Sequence, residues 1–117
     1  MKTLNIFIAF VLAMFCISAN AQSKQVVKKE NIKVWGNCEM CQSRIEKAAK
    51  AAGASSAKWN VDSKILSLSY NPAKVTINKI EESVSSAGHD TEHVKGSDDG
   101  YNKLPECCQY DRKSVKG

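Results

Sequence analysis

The sequence has 117 residues, and its 17 lysines and arginines against 12 aspartates and glutamates give a net charge of +5. This length suffices for one small domain with a modest core but not for two domains. The basic residues are scattered, without a block of like charges or interleaved aromatic residues, which argues against a nucleic-acid partner.

The first 21 residues have the pattern of a secretory signal peptide. Lys2 precedes an apolar run from Leu4 to Ile17, and the small residues at 18–21 form a cleavage site of the A-x-A kind. The run is shorter than the roughly 20 residues of a membrane-spanning helix, so an uncleaved anchor is the lesser alternative. We therefore expect cleavage before Gln22, export to a bacterial periplasm and no stable membrane insertion afterwards.

A strand and a helix are predicted next, after a polar, lysine-rich leader over residues 22–30. Alternation through Ile32 and Val34 predicts a half-buried strand that ends at Gly36. From Cys41 the apolar residues shift to helical spacing, and Gly53 ends this helix.

The second half of the domain predicts a hairpin and another helix. Residues 57–61 and 66–70 both alternate apolar with polar side chains, and turn-forming residues separate them. Thr76 is the expected N-cap of a helix that Gly88 ends, and a short last strand is predicted from Asp90 to Val94.

This order of elements predicts the fold class. The order is βαββαβ, which is the arrangement of an α+β, ferredoxin-like sandwich. We expect a four-stranded antiparallel sheet with two helices on one face, formed by residues 31–95. The remaining tail, residues 96–117, has neither helical nor strand periodicity, and its large side chains that can fold back on the domain are Tyr101, Leu104 and Tyr110.

The cysteines are the residues most able to carry chemistry. Cys38 and Cys41 stand between the first strand and the first helix, and Cys107 and Cys108 lie in the tail. A Cys-x-x-Cys pair serves metal sites, redox disulfides and structural cross-links alike. At a helix N-terminus the thiolate is favoured, and two thiolates suit the soft ions Cu(I) and Hg(II), whereas Zn(II) prefers four ligands. The spacing and its setting therefore predict a soft-metal site at Cys38 and Cys41.

Residues 31 to 94 resemble the heavy-metal-associated domain of copper chaperones, copper-exporting ATPases and periplasmic mercury-binding proteins. The resemblance rests on Ile32-Lys33-Val34 before Cys38-x-x-Cys41, and on Ile45-Glu46, Gly53-Ala54, Tyr70-Asn71-Pro72 and Ala87-Gly88. It implies that Cys38 and Cys41 bind a soft ion, copper(I) first and mercury(II) as an alternative. It also implies transfer of the ion to a metal transporter or another metal-binding domain, without enzymatic activity.

Two features depart from the family pattern. Trp35, Gly36 and Asn37 stand where the family usually has Gly-Met-x, so the buried methionine that supports the loop is missing. The second departure is the tail, because Cys107 and Cys108 have no counterpart in a minimal domain.

The tail cysteines leave three arrangements open. They can join Cys38 and Cys41 around the ion, in a three- or four-thiolate site that also suits zinc(II) or cadmium(II). They can instead form disulfides with the first pair, or bridge two chains through disulfides or metal into a dimer. His89 is a further candidate metal ligand, because the resemblance puts it beside the metal loop.

Two other functions compete with metal transport. A thiol-disulfide redox protein would turn over in a disulfide-reduction assay and would be indifferent to chelators. A structural module stapled by disulfides would have no free thiols in its native form.

Overall fold

The computed structural model describes residues 26–112 of the chain. The predicted signal peptide lies outside the described residues. In the part that is described, no helix is both long enough and apolar enough to span a bilayer.

Three strands form one antiparallel sheet in the order β1-β3-β2. The strands are β1 (Lys28–Lys33), β2 (Ser56–Trp59) and β3 (Ile65–Tyr70). On β3 the alternation places Leu66, Leu68 and Tyr70 in the core and leaves Ser67 exposed, as the sequence predicted. Because Leu66 lies opposite Ile32 on one side and Trp59 on the other, the middle of the sheet is apolar on its inner face.

Strand β1 begins earlier than the sequence predicted, so residues 28–30 of the expected leader belong to the sheet. Lys28 lies opposite Tyr70 in the register. The Tyr70 hydroxyl donates a hydrogen bond of 3.0 Å to the Glu30 carboxylate, and Lys28 forms an ion pair of 3.0 Å with Glu30. Polar side chains hold this end of the strand, which is why hydrophobic alternation did not reveal it.

The helices are α1 (Glu39–Ala52), α2 (Ile77–Ser86) and the short α3 (Asp98–Asn102), and a turn of 3-10 helix follows over Glu106–Cys108. Helix α1 begins two residues before the predicted start, with Cys38 in extended backbone as its N-cap. Thr76 caps α2 as predicted, because its hydroxyl accepts a hydrogen bond of 3.2 Å from the Lys79 N–H. Helix α1 packs against both α2 and β2.

The prediction of a fourth strand is wrong. Residues 90–94 form no strand, and their link to the sheet is one antiparallel bridge between Val34 and Thr91. The Thr91 N–H and hydroxyl both donate to the Val94 carbonyl, at 2.9 and 3.0 Å, so the chain turns back at once. The domain keeps the ferredoxin-like α+β arrangement with three strands in the described residues.

The tail folds back on the domain and contributes to the core. Leu104 and Tyr110 are buried, and Tyr101 packs against the core. Helix α3 was not predicted, because five residues are too few to show a helical period. Its local signal is Ser97, whose hydroxyl accepts a hydrogen bond of 3.0 Å from the Gly100 N–H.

Candidate metal centre

The loop between β1 and α1 is held on both sides by backbone hydrogen bonds. The Val34 N–H donates to the Lys64 carbonyl and the Trp35 N–H donates to the Asp90 carbonyl, each at 2.9 Å. The indole N–H of Trp59 donates to the Val34 carbonyl, also at 2.9 Å. The backbone just before the cysteines is therefore held in place by hydrogen bonds at Val34 and Trp35.

Gly36 allows the loop to lie directly on the buried ring of Trp59. A Cβ atom at position 36 would lie 3.0 Å from that ring and 3.1 Å from the Cβ of Cys41. The ring of Trp59 thus fills the space beside the loop residue where the family usually carries methionine. The close packing of Gly36 on Trp59 therefore supports the loop, as the methionine does in the family pattern.

Three cysteine sulfur atoms lie together beside this loop. Cys38 Sγ is 3.6 Å from Cys41 Sγ and 3.9 Å from Cys108 Sγ, and all three lie within 4.8 Å of one another. Three thiolates around one ion, each about 2.3 Å from it as in zinc sites, would lie about 4 Å apart, whereas two opposed thiolates would be about 4.6 Å apart. The sulfur spacing therefore fits a three-coordinate ion. Cys41 and Cys108 are fully buried, and Cys38 is half-buried.

The thiols of Cys38 and Cys108 differ in acidity. The backbone N–H of Cys41 lowers the pKa of Cys38 to about 7, which the start of a helix favours. Burial raises the pKa of Cys108, and the neighbouring sulfur of Cys41 adds to that effect. Cys38 therefore ionises more readily than Cys108, and Cys108 would give up its proton when an ion binds.

The two tail cysteines point in different directions. Cys108 lies inside, while Cys107 is exposed, with its thiol 3.4 Å from the thioether sulfur of Met40. The backbone carbonyl of Cys107 accepts a hydrogen bond of 3.4 Å from the Cys38 thiol. All four cysteines of the described region are free thiols.

A polar clasp, formed by Asp90, Tyr110 and Arg112, holds the tail in this position. The Asp90 carboxylate is fully buried and accepts hydrogen bonds from the Tyr110 hydroxyl at 2.7 Å and from Arg112 Nε at 3.0 Å. It also accepts one from the Gly96 N–H at 2.7 Å. A buried carboxylate needs such partners, and their position on the tail brings Cys108 to the loop.

His89 lies beneath the loop, apart from the group of three sulfurs. It is fully buried, its Nδ1 is 2.9 Å from the Trp35 carbonyl, and its ring stacks on Tyr110. Burial lowers the pKa of His89, so the neutral ring donates from Nδ1 to that carbonyl. Its Nε2 has no hydrogen-bond partner among the described residues. In this structure His89 joins the loop to the tail.

The sequence located the loop cysteines but missed the clasp. Tyr110 was recognised only as an apolar anchor, and Asp90 was placed in a strand that does not form. Nothing in the spacing of Asp90 and Arg112 indicates that they meet, because their pairing depends on the path of an irregular tail.

Comparisons with known proteins identify the family of the domain. The family model for the heavy-metal-associated domain matches residues 37–90. The copper chaperone CopZ of Staphylococcus epidermidis is 40% identical over 69 residues, which cover 58% of this chain and 96% of that protein.

Solved structures show similar folds. The water-soluble region of the P-type ATPase CopA from Bacillus subtilis has a TM-score of 0.54 and 27% identity, with 59% of this chain and 47% of that chain covered. Oxidized MerP from Ralstonia metallidurans CH34 has a TM-score of 0.54 and 19% identity, with 57% and 96% covered, and supports the fold alone. Cys107 and Cys108 lie beyond the residues that the family model matches.

Proposed function

The chain belongs to the heavy-metal-associated domain family, and from that premise we propose that it is an exported carrier of Cu(I). The ion is its cargo. The carrier takes up the ion in the periplasm and passes it to a metal transporter or another metal-binding domain by exchange of thiolate ligands, without enzymatic chemistry.

The observation that carries this proposal is the group of three sulfurs from Cys38, Cys41 and Cys108, all within 4.8 Å of one another. Two come from the family's loop and the third from the tail of this chain. Thiolates are soft ligands, and Cu(I) is a soft ion that accepts low coordination numbers. The likeness to the copper chaperone CopZ supports copper as the cargo.

Other thiophilic ions compete for such a site. Hg(II) shares the softness of Cu(I), while Zn(II) in structural sites prefers four ligands and would lack one here. Cd(II), another thiophilic ion, also competes for the site. Competition between these ions for the reduced protein ranks them, and the proposal expects Cu(I) to displace Zn(II).

The order in which the sulfurs bind and release the ion follows from their different exposure to solvent. Cys38 is half-buried at the helix start and has the lowered pKa, so it is the thiolate best placed to meet an incoming donor. Cys41 and Cys108 then close on the ion from the protein side. Release reverses the order, with one metal-sulfur bond formed to the acceptor for each bond broken. The likeness to the soluble region of a P-type ATPase supports such a transporter as acceptor.

The test is anaerobic titration of the reduced protein with Cu(I) against a chromophoric Cu(I) chelator. We expect one tightly bound ion, whose affinity is lost in Cys38→Ser and in Cys41→Ser. In Cys108→Ser we expect a loss of about 100-fold, which corresponds to about 2.7 kcal/mol of binding free energy. Glu106→Gln, an exposed neighbour of the tail cysteines, is the matched control and should keep the affinity within about threefold.

Failure of the reduced protein to bind Cu(I) would refute the carrier function. Turnover in a disulfide-reduction assay, unaffected by chelators, would favour the redox alternative instead. Export is checked separately by N-terminal sequencing of the protein from the periplasmic fraction, where the proposal expects the chain to start at Gln22.

A further inference from the structure

Sulfur atoms form a continuous row from the surface to the interior. Met40 Sδ lies 3.4 Å from Cys107 Sγ, which lies 4.0 Å from Cys108 Sγ, and Cys108 lies 3.9 Å from Cys38. Cys41 ends the row, 3.6 Å from Cys38. The inner three sulfurs form the site proposed above, which leaves Met40 and Cys107, here called the outer pair, without a role.

The outer pair faces solvent. Met40 is 52% exposed and is one of few large apolar side chains on the surface of the described region. Cys107 is also exposed. Because solvent lies on the outer side of the contact between Met40 and Cys107, this contact buries little apolar area and contributes little stability. Packing therefore does not explain why the two side chains lie together.

The chemistry of the outer pair selects the same class of ion as the inner site. Thioether and thiolate ligands together favour soft cations over Mg(II) or Ca(II), and a pair of sulfurs offers fewer ligands than the four that Zn(II) prefers. The two sulfurs would have to separate slightly to hold an ion between them. Both lie on exposed side chains, and methionine has an unbranched, adaptable stem.

We propose that Met40 and Cys107 form an outer binding site for a soft monovalent ion, through which the cargo enters and leaves the inner site. This inference rests on the proposed function, since it concerns the same cargo. The outer site precedes the inner site because Cys107 is the exposed neighbour of Cys108 in both sequence and space.

Passage between the sites is a ligand exchange that leaves the charge of the ion unchanged. The Cys107 thiol releases its proton to solvent when its sulfur binds the ion. Cys38 and Cys108 then form bonds to the ion as the bonds to Met40 and Cys107 break, one bond formed for each bond broken, and Cys41 completes the inner site; inner thiols that are still protonated release their protons to solvent. Cys107 regains a proton from solvent, so no oxidant or reductant is required.

The experiment is anaerobic titration of the reduced protein with Ag(I), a soft monovalent probe that does not change oxidation state. Stoichiometry is read by native mass spectrometry and affinity by competition with a thiol ligand in solution. We expect two bound ions, the second weaker than the first. Met40→Leu, which keeps the apolar stem, and Cys107→Ser should each weaken the second by at least tenfold and change the first by less than about threefold.

Glu106→Gln is the matched control, because it alters the same exposed turn without removing sulfur, and it should retain both ions. A wild-type protein that binds one Ag(I) only, or variants that both keep the second ion, would overturn the outer site. Absence of the first ion would instead count against the proposed function, so the two failures are distinguishable.

Discussion

Gly36 is the residue at which the loop and the core meet most closely. A methyl group at this position would lie 3.0 Å from the ring of Trp59 and 3.1 Å from the Cβ of Cys41. Such contacts are tighter than nearly all contacts of real Cβ atoms, so a neighbour must move by a few tenths of an ångström, and the Trp59 ring is held by its hydrogen bond to the Val34 carbonyl. The loop must therefore shift, and its cysteines with it.

We predict that Gly36→Ala lowers the free energy of unfolding by about 1–3 kcal/mol, the usual cost of overpacking a filled site. Urea denaturation of the metal-free, reduced protein measures it. Asn37→Ala is the control, because it changes the next, exposed loop residue and should stay within about 0.5 kcal/mol of the wild type. Equal stability of Gly36→Ala and the wild type would show that the loop does not rest on Trp59.

Asp90 gives the clasp a dependence on pH. Burial acts to raise the pKa of this carboxyl, but hydrogen bonds from Arg112, Tyr110 and Gly96 hold the pKa below its ordinary value. An unfolded aspartate titrates near pH 4. The stabilisation by ionised Asp90 is therefore complete above about pH 4 and is lost as the pH falls towards the lower folded value.

We predict that Asp90→Asn destabilises the protein by about 3 kcal/mol at pH 7, because it breaks a buried ion pair. The difference from the wild type should shrink as the pH falls below about 4. Urea denaturation at several pH values measures this, with exposed Asp99→Asn as the control. A difference that grows in acid would contradict the assigned direction of the pKa shift.

The tail packs as part of the domain. Leu104, Cys108 and Tyr110 are buried, and the Tyr110 hydroxyl joins Asp90 to the end of the chain. The backbone N–H of Asp90 also donates to that hydroxyl at 2.8 Å. One phenol group therefore links the clasp to the turn that carries Cys108.

We predict that Tyr110→Phe costs about 1–3 kcal/mol of stability, since it leaves buried partners without a hydrogen bond. It should also weaken the binding of Cu(I), because Cys108 is less firmly positioned, while Cys108→Ser weakens binding with little loss of stability. Denaturation and Cu(I) competition on both variants make the comparison. If Tyr110→Phe changed neither quantity, the clasp would not position the tail.

Sequence patterns predicted the regular elements well and the irregular ones poorly. Alternation on β3 and the Thr76 cap of α2 were recognisable because each depends on residues close in sequence. The strand predicted at residues 90–94 does not form, because the N–H and hydroxyl of Thr91 both donate to the Val94 carbonyl and turn the chain back there. A tail cysteine beside Cys38 was one of three arrangements that the sequence left open. Spacing could not choose among them, since the position of Cys108 depends on the contact of Asp90 with Arg112 across an irregular segment.

For the whole molecule, the tail turns a two-cysteine loop into a closed three-sulfur site. Here Cys108 is fully buried beside the loop, and Cys38 donates to the carbonyl of Cys107. If the chain delivers Cu(I) as proposed, the tail must yield one ligand to the partner.

The coordination number of the bound ion is the most direct measure of whether Cys108 is a ligand. X-ray absorption spectroscopy of the reduced protein with one equivalent of Cu(I) counts the sulfur ligands. We predict three sulfurs in the wild type and two in Cys108→Ser. Two sulfurs in both proteins would mean that Cys38 and Cys41 hold the ion without the tail, and would rule out the three-sulfur site.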